Sequence, residues 1–97
     1  MDREELMSRL EEGEALLADG FEGALIGITQ NHHQMNVAVY DYDLSIGILM
    51  LRDGMSCMDA IEFMDFNVLG SYVGENTPIF VSLSNSYRES ERPLSAN

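Results

Sequence analysis

Positive charge is scarce in this 97-residue sequence, which has five arginines and no lysine against 17 aspartates and glutamates, a formal net charge of −12. Proteins that bind phosphate backbones present a basic surface, and an acidic chain is also repelled by anionic lipid. The charge therefore argues against direct binding to nucleic acid and to a membrane. A partner of the acidic residues is expected to present basic residues to them.

Cysteine is almost absent as well, because Cys57 stands alone and no intramolecular disulfide can form. That composition fits a reducing compartment. The N-terminal residues are acidic and lack an apolar run, so we expect no signal peptide. No stretch approaches the about 18–20 apolar residues of a membrane span. We therefore expect a cytoplasmic protein.

Hydrophobic residues make up 45% of the chain, enough to build one core. Residues 1–83 are expected to form a single domain, and residues 84–97 a flexible polar tail. The hydrophobic spacing predicts a helix over Arg3–Ala18, capped by Asp2 and stopped at Gly20. The other predicted elements are strands at Ala24–Thr29 and Asn36–Tyr40, a helix capped by Asp43 that runs to Asp53 with Gly54 as its stop, a helix opened by Ser56 and Asp59, and a strand at Ile79–Leu83.

This order, α-β-β-α-α-β, predicts an α+β domain with a small, mostly antiparallel three-stranded sheet packed against helices. The polar turn QNHHQ separates the first two strands and has the length of a hairpin connection. In the third helix the spacing predicts a core-facing stripe formed by Cys57, Ala60, Ile61, Met64 and Val68.

Motifs for catalysis are missing: the sequence contains no G-x-S-x-G, H-E-x-x-H, Walker or dinucleotide pattern. Cys57 belongs to the predicted core stripe, where a thiol is inert. We therefore predict a protein that is not an enzyme and needs no cofactor.

Metal-ligand residue types do occur near the predicted hairpin, as His32 and His33 and as Asp41 and Asp43. Adjacent histidine side chains on a strand or turn point apart, so the spacing is poor and we predict no metal site. A small-ligand or metal-binding module that uses these four residues is kept as an alternative.

Acidic side chains on the third helix form the sharpest candidate site. Asp59, Glu62 and Asp65 share the face opposite the core stripe at 100° per residue, and Phe66 lies in or beside that acidic arc. Carboxylates three or four residues apart on a helix are separated along its axis by roughly 4.5–6 Å, which is near the spacing of phosphates along a nucleic-acid strand. The pattern fits a partner-binding surface that mimics nucleic acid, although a solvated face that gives solubility is the commoner meaning of an acidic helix. Whether Phe66 is an exposed anchor, or is covered by a bend of the helix or by the sheet edge, is left open. The first helix supplies a second acidic surface with Glu4, Glu5, Glu11 and Glu12, extended by Glu14 and Asp19.

Four segments carry a family resemblance: GFEGALIGI (20–28), VAVYDYD (37–43), IGILM (46–50) and GMSCMDAIEFMDFNVLGSYVGENTPIF (54–80). They resemble a family of small proteins encoded by phages and prophages, and the match spans about 60 of the 97 residues, from Gly20 to Phe80. The resemblance implies a phage origin and supplies no catalytic residues. Small acidic phage proteins as a class include inhibitors of host defence, among them anti-CRISPR proteins and DNA mimics.

The leading hypothesis is a phage-encoded inhibitor of a host defence complex in the bacterial cytoplasm. It would bind the basic nucleic-acid-binding surface of a host protein, with a CRISPR–Cas effector as the specific candidate, through Asp59, Glu62, Asp65, Phe66 and the first-helix carboxylates. The alternatives are a phage structural or assembly protein that forms a homodimer, and the small-ligand or metal-binding module.

Overall fold

The computed structural model describes residues 1–72 and 74–88. Its helices and strands are, in chain order, α1 (Arg3–Glu12), β1 (Leu25–Gln30), β2 (Asn36–Asp41), α2 (Tyr42–Asp53), α3 (Cys57–Phe63), β3 (Ile79–Val81) and α4 (Asn85–Arg88). A 3₁₀ turn (Glu22–Ala24) leads into β1, and a π-helical turn (Met64–Val68) followed by a 3₁₀ turn (Leu69–Ser71) continues α3.

The predicted α+β class is confirmed, but the observed order differs from α-β-β-α-α-β because α4 follows β3. This single helical turn lies within the part of the chain that the sequence assigns to a polar tail. Ser84 holds its start, since its hydroxyl accepts a hydrogen bond from the Tyr87 backbone N–H at 3.2 Å. Residues 89–97 of the predicted tail lie outside the described residues.

The sheet is mixed, so the prediction of a mostly antiparallel sheet is wrong. β2 is central, and it pairs antiparallel with β1, as the hairpin pattern predicts, but parallel with β3. A parallel partner needs a long crossover, and here α2 and α3 supply it. The loop before β3 returns to the end of the sheet where β2 begins, because the Asn31 side chain in the β1–β2 turn donates to the Glu75 carbonyl.

The first helix is shorter than predicted, ending at Glu12 instead of Ala18. Gly13 caps its C-terminus, with its N–H bonded to the carbonyls of Arg9 and Glu11. A Cβ at Gly13 would lie 3.1 Å from the Cβ of Asn36, so glycine permits the close approach of this helix end to β2. At the other end, the Asp2 carboxylate accepts from the Glu5 N–H at 2.8 Å, which confirms the predicted cap.

The second helix begins two residues earlier than predicted, because Asp41 and not Asp43 is its N-cap. The Asp41 carboxylate accepts from the Leu44 N–H at 3.0 Å, and Asp41 is buried where β2 passes directly into α2. The predicted stop is confirmed: Gly54 adopts a left-handed conformation (φ 69°) that few other residues tolerate.

The third helix buries a narrower stripe than predicted. Ala60, Met64 and Val68 are buried at i, i+4 and i+8, whereas Cys57 is exposed and Ile61 is 37% exposed. The helix packs mainly against α2. Because it is short and has one main neighbour, only this narrow row of side chains is buried. Within the described residues, none of the helices combines the length and the apolar character needed to cross a bilayer.

Tyr40 on β2 is the largest fully buried side chain. Its ring stacks on Phe80 of β3 with 5.0 Å between centroids, and its hydroxyl accepts from the Ala18 N–H at 2.8 Å. Tyr40 therefore ties the segment after α1 to the centre of the sheet.

Replacing Tyr40 with phenylalanine is expected to make folding less sensitive to alkali. Burial raises the pKa of Tyr40, although the hydrogen bond from Ala18 opposes that shift. A raised folded-state pKa stabilises the fold below the unfolded-state pKa of about 10, and this stabilisation is lost as pH rises through the folded-state value. In urea denaturation from about pH 9 to about pH 11, the free energy of unfolding should fall less for Tyr40→Phe than for the wild type.

Some alkaline sensitivity should remain in that variant, because burial also raises the pKa values of Tyr42 and Tyr72. At neutral pH the variant should be destabilised by about 1–3 kcal/mol, since the buried Ala18 N–H loses its acceptor. Identical pH slopes for the two proteins would contradict the role of Tyr40.

Candidate partner-binding site

The candidate site is built on the turn between α2 and α3. After Gly54 the chain reverses, and the Ser56 hydroxyl accepts from the Asp59 N–H at 3.1 Å, which starts α3 as predicted. The buried seam of α3 faces α2, so the opposite side of the helix is left to solvent.

That outer side carries two large apolar side chains in water. Met58 is 77% exposed and Phe66 is 75% exposed. The sequence pattern leaves open whether the Phe66 side chain is exposed or covered, and the structure places it in solvent.

A groove of about 490 Å³ lies along this side of α3 and is called the α3 groove. The predicted residues Asp59, Glu62 and Phe66 lie together in it, at i, i+3 and i+7 of one helical run. The described residues that line it are Met55, Asp59, Glu62, Phe63, Phe66 and Asn67.

Asp65 does not lie in the α3 groove with the other two predicted carboxylates. It belongs to the π-helical turn, where bonds from i to i+5 place more residues in each turn and rotate later side chains relative to an ideal helix. Its charge acts instead on Tyr42, whose pKa is raised first by burial and then by the carboxylates of Asp65 and Asp43. The predicted row of three carboxylates is therefore divided between two sides of the helix.

Three arginine side chains, those of Arg3, Arg9 and Arg52, are engaged away from α3. Arg9 pairs with Glu5 at 3.3 Å and Arg52 with Asp53 at 3.0 Å, and neither of these described ion pairs includes a residue of the α3 groove. Arg3 donates to the carbonyls of Leu25 and Glu22 at 2.8 and 2.6 Å. Among the described residues, Asp59 and Glu62 thus keep their negative charge unneutralised by an ion pair.

The first-helix carboxylates form a separate surface. Glu4, Glu5, Glu11 and Glu12 are exposed on α1, and these four residues are called the α1 acidic surface. α1 packs mainly on β1 and β2, whereas α3 packs on α2. The two acidic sets are therefore carried by elements that pack on different neighbours.

The structure does not bring the four residues of the metal alternative together. His32 and His33 precede β2 and Asp41 follows at its far end, so the strand separates them by roughly 15–20 Å at about 3.3 Å per residue. The two imidazole rings lie 4.0 Å apart in an exposed turn. Across residues 1–72 and 74–88, no group of three or more metal-ligating side chains is close enough to share an ion.

Sequence reasoning missed three residues of the α3 groove: Met55, Phe63 and Asn67. Met55 lies in the turn before the helix, where helical periodicity does not apply. Phe63 and Asn67 follow Asp59 at i+4 and i+8, so the helical spacing could have placed both beside the predicted residues. The short turn set by Gly54 was the signal that could have placed Met55 beside α3.

A second groove of about 430 Å³ adjoins the first, with Phe63 and Asn67 lining both. It is lined further by Arg52, Phe21 and Tyr72, and by Leu17, Asp19, Val68 and Ser71. Sequence reasoning did not single out Arg52, which here lies against an aromatic ring and a carboxylate.

The α3 groove thus brings two carboxylates, those of Asp59 and Glu62, beside the exposed Phe66 side chain. Comparison of the chain with protein-family models, with curated proteins and with solved structures finds no match.

Proposed function

We propose that this chain is a non-catalytic binding protein whose α3 groove binds a basic surface of a protein partner. The observation that carries the proposal is Phe66, a 75% exposed ring beside the unneutralised Asp59 and Glu62 carboxylates. An aromatic anchor surrounded by charges is typical of the energetic centre of a protein–protein interface. The net charge of −12 favours fast, salt-sensitive association with a basic partner.

The proposed partner surface is one that otherwise binds nucleic acid, so the complex would be inhibitory. The α1 acidic surface, Asp43 of α2 and Asp65 of the π-helical turn would add to the negative field of the protein. The resemblance to phage-encoded proteins directs the search for the partner to bacterial defence complexes, with CRISPR–Cas effectors first.

Neutralising Asp59 and Glu62 tests this function. The Asp59→Asn/Glu62→Gln variant should lose at least about tenfold in affinity for a partner captured from bacterial lysate by the wild-type protein. Raising the salt concentration should weaken the wild-type complex more than the variant complex, because the variant has fewer charges at the interface for salt to screen.

The matched control is Glu11→Gln/Glu12→Gln, which removes the same charge from the α1 acidic surface. We expect it to change affinity by less than about threefold. A partner that binds all three proteins equally, or whose binding is insensitive to salt, would rule out the α3 groove as the interface.

The homodimer alternative is favoured by Leu51 of α2, which is 90% exposed. Self-association would have to overcome repulsion between two chains of charge −12. Light scattering at several protein and salt concentrations is expected to give a monomer. A dimer that Leu51→Lys dissociates would support the structural or assembly role instead.

A further inference from the structure

Arg52 shows how an arginine is held on this protein's own surface. Its Nε and Nη2 both donate to the Asp53 carboxylate at 3.0 Å, and its Nη1 donates to the Gly20 carbonyl at 2.7 Å. The guanidinium carbon also lies 5.8 Å from the centroid of the Phe21 ring. A carboxylate and an aromatic ring together therefore hold one guanidinium group.

The α3 groove presents the same two kinds of group. Phe66 offers an exposed ring, Asp59 and Glu62 offer carboxylates, and Asn67 adds an amide. Among the residues that the structure describes, no arginine, lysine or histidine lines it. The apolar surface of Met55 and Phe63 suits the alkyl part of a long side chain.

We propose that the α3 groove is a receptor for an arginine side chain presented by a protein partner, an inference that rests on the proposed function and names the chemistry it recognises. The guanidinium would stack on Phe66 and donate to Asp59 or Glu62. An arginine fits better than a lysine, because its planar group stacks on a ring and donates two parallel hydrogen bonds to a carboxylate.

Charge and shape favour this occupant over others. A phosphate or nucleic-acid ligand is repelled by the two carboxylates, and a wholly apolar ligand would bury them without partners. A second copy of the chain would place like charges against each other. A basic side chain with a planar head satisfies both the ring and the carboxylates.

The test titrates the full chain with hexa-arginine and, separately, with hexa-lysine, and follows backbone amide shifts by NMR. We expect hexa-arginine to bind about tenfold more tightly than hexa-lysine, with the largest shifts between residues 55 and 67. In Phe66→Leu the two peptides should bind with about equal affinity, because the attraction between their charges and the carboxylates remains while the stacking on the ring is lost. Leu51→Ala, a truncation of an exposed apolar residue outside the groove, should leave the preference unchanged.

Equal affinity for the two peptides, shifts centred on α1, or a preference that survives Phe66→Leu would overturn the arginine inference. A different result contradicts the proposed function: the Asp59→Asn/Glu62→Gln variant still binds the partner captured from lysate. A variant that loses the partner while the wild type binds both peptides equally would retain the α3 interface and reject the arginine receptor.

Discussion

Truncating Leu49 to alanine is expected to lower the free energy of unfolding by about 2–5 kcal/mol. Leu49 is completely buried in the core cluster, where α2 lies between the sheet and α3. Removing its branched end loses the transfer free energy of the side chain and leaves a cavity that the surrounding elements fill only in part. A domain of 97 residues has a total stability of roughly 5–15 kcal/mol, so this loss is a large share of it.

The measurement is urea denaturation, supported by a fall in melting temperature of about 4–8 °C per kcal/mol. The matched control is Leu51→Ala, the same substitution in the same helix at a position that is 90% exposed. The control should change stability by less than about 0.5 kcal/mol. Equal losses in the two variants would contradict the packing of α2 described above.

Truncating Phe66 to alanine is expected to leave the fold intact and to remove most of the binding. The ring is 75% exposed, so little apolar surface returns to water in the free protein, and stability should change by less than about 0.5 kcal/mol. In a complex the ring would be the buried anchor of the interface, and its loss should cost about 2–4 kcal/mol of binding free energy. That cost corresponds to a loss of about 30-fold to 1000-fold in affinity.

Calorimetric or surface-based titration of the captured partner measures the loss, and urea denaturation of the same variant checks the fold. Leu51→Ala serves again as the control for an exposed apolar truncation, with unchanged affinity expected. A Phe66→Ala variant that binds as tightly as the wild type would show that the ring lies outside the interface.

Local chemistry was enough to predict several ends of elements. Asp2 and Ser56 accept the hydrogen bonds expected of N-caps, and Gly54 ends α2 in a left-handed conformation. These features depend on residues within a few positions of one another, so the sequence carries the information directly. The hairpin of β1 and β2 belongs to the same class, because a short turn fixes antiparallel pairing.

Tertiary contacts overrode local signals elsewhere. α1 stops at Gly13 because this helix end meets Asn36 of β2, and Asp41 displaces Asp43 as a cap because β2 passes into α2 without a loop. At the candidate site, sequence reasoning placed Asp59, Glu62 and Phe66 on one exposed side of α3. It could not place Asp65, since the π-helical turn changes the angular spacing after Phe63.

The sequence by itself determined the acidic charge, the α+β class and most of the elements, because each follows from composition or from spacing within one element. Only the tertiary structure decided that β3 runs parallel to β2, that Cys57 is exposed, and that Asp65 is separated from the α3 groove. These outcomes depend on how distant elements pack and on a local change of helix type. The periodicity of a single sequence indicates neither the packing of distant elements nor the change of helix type.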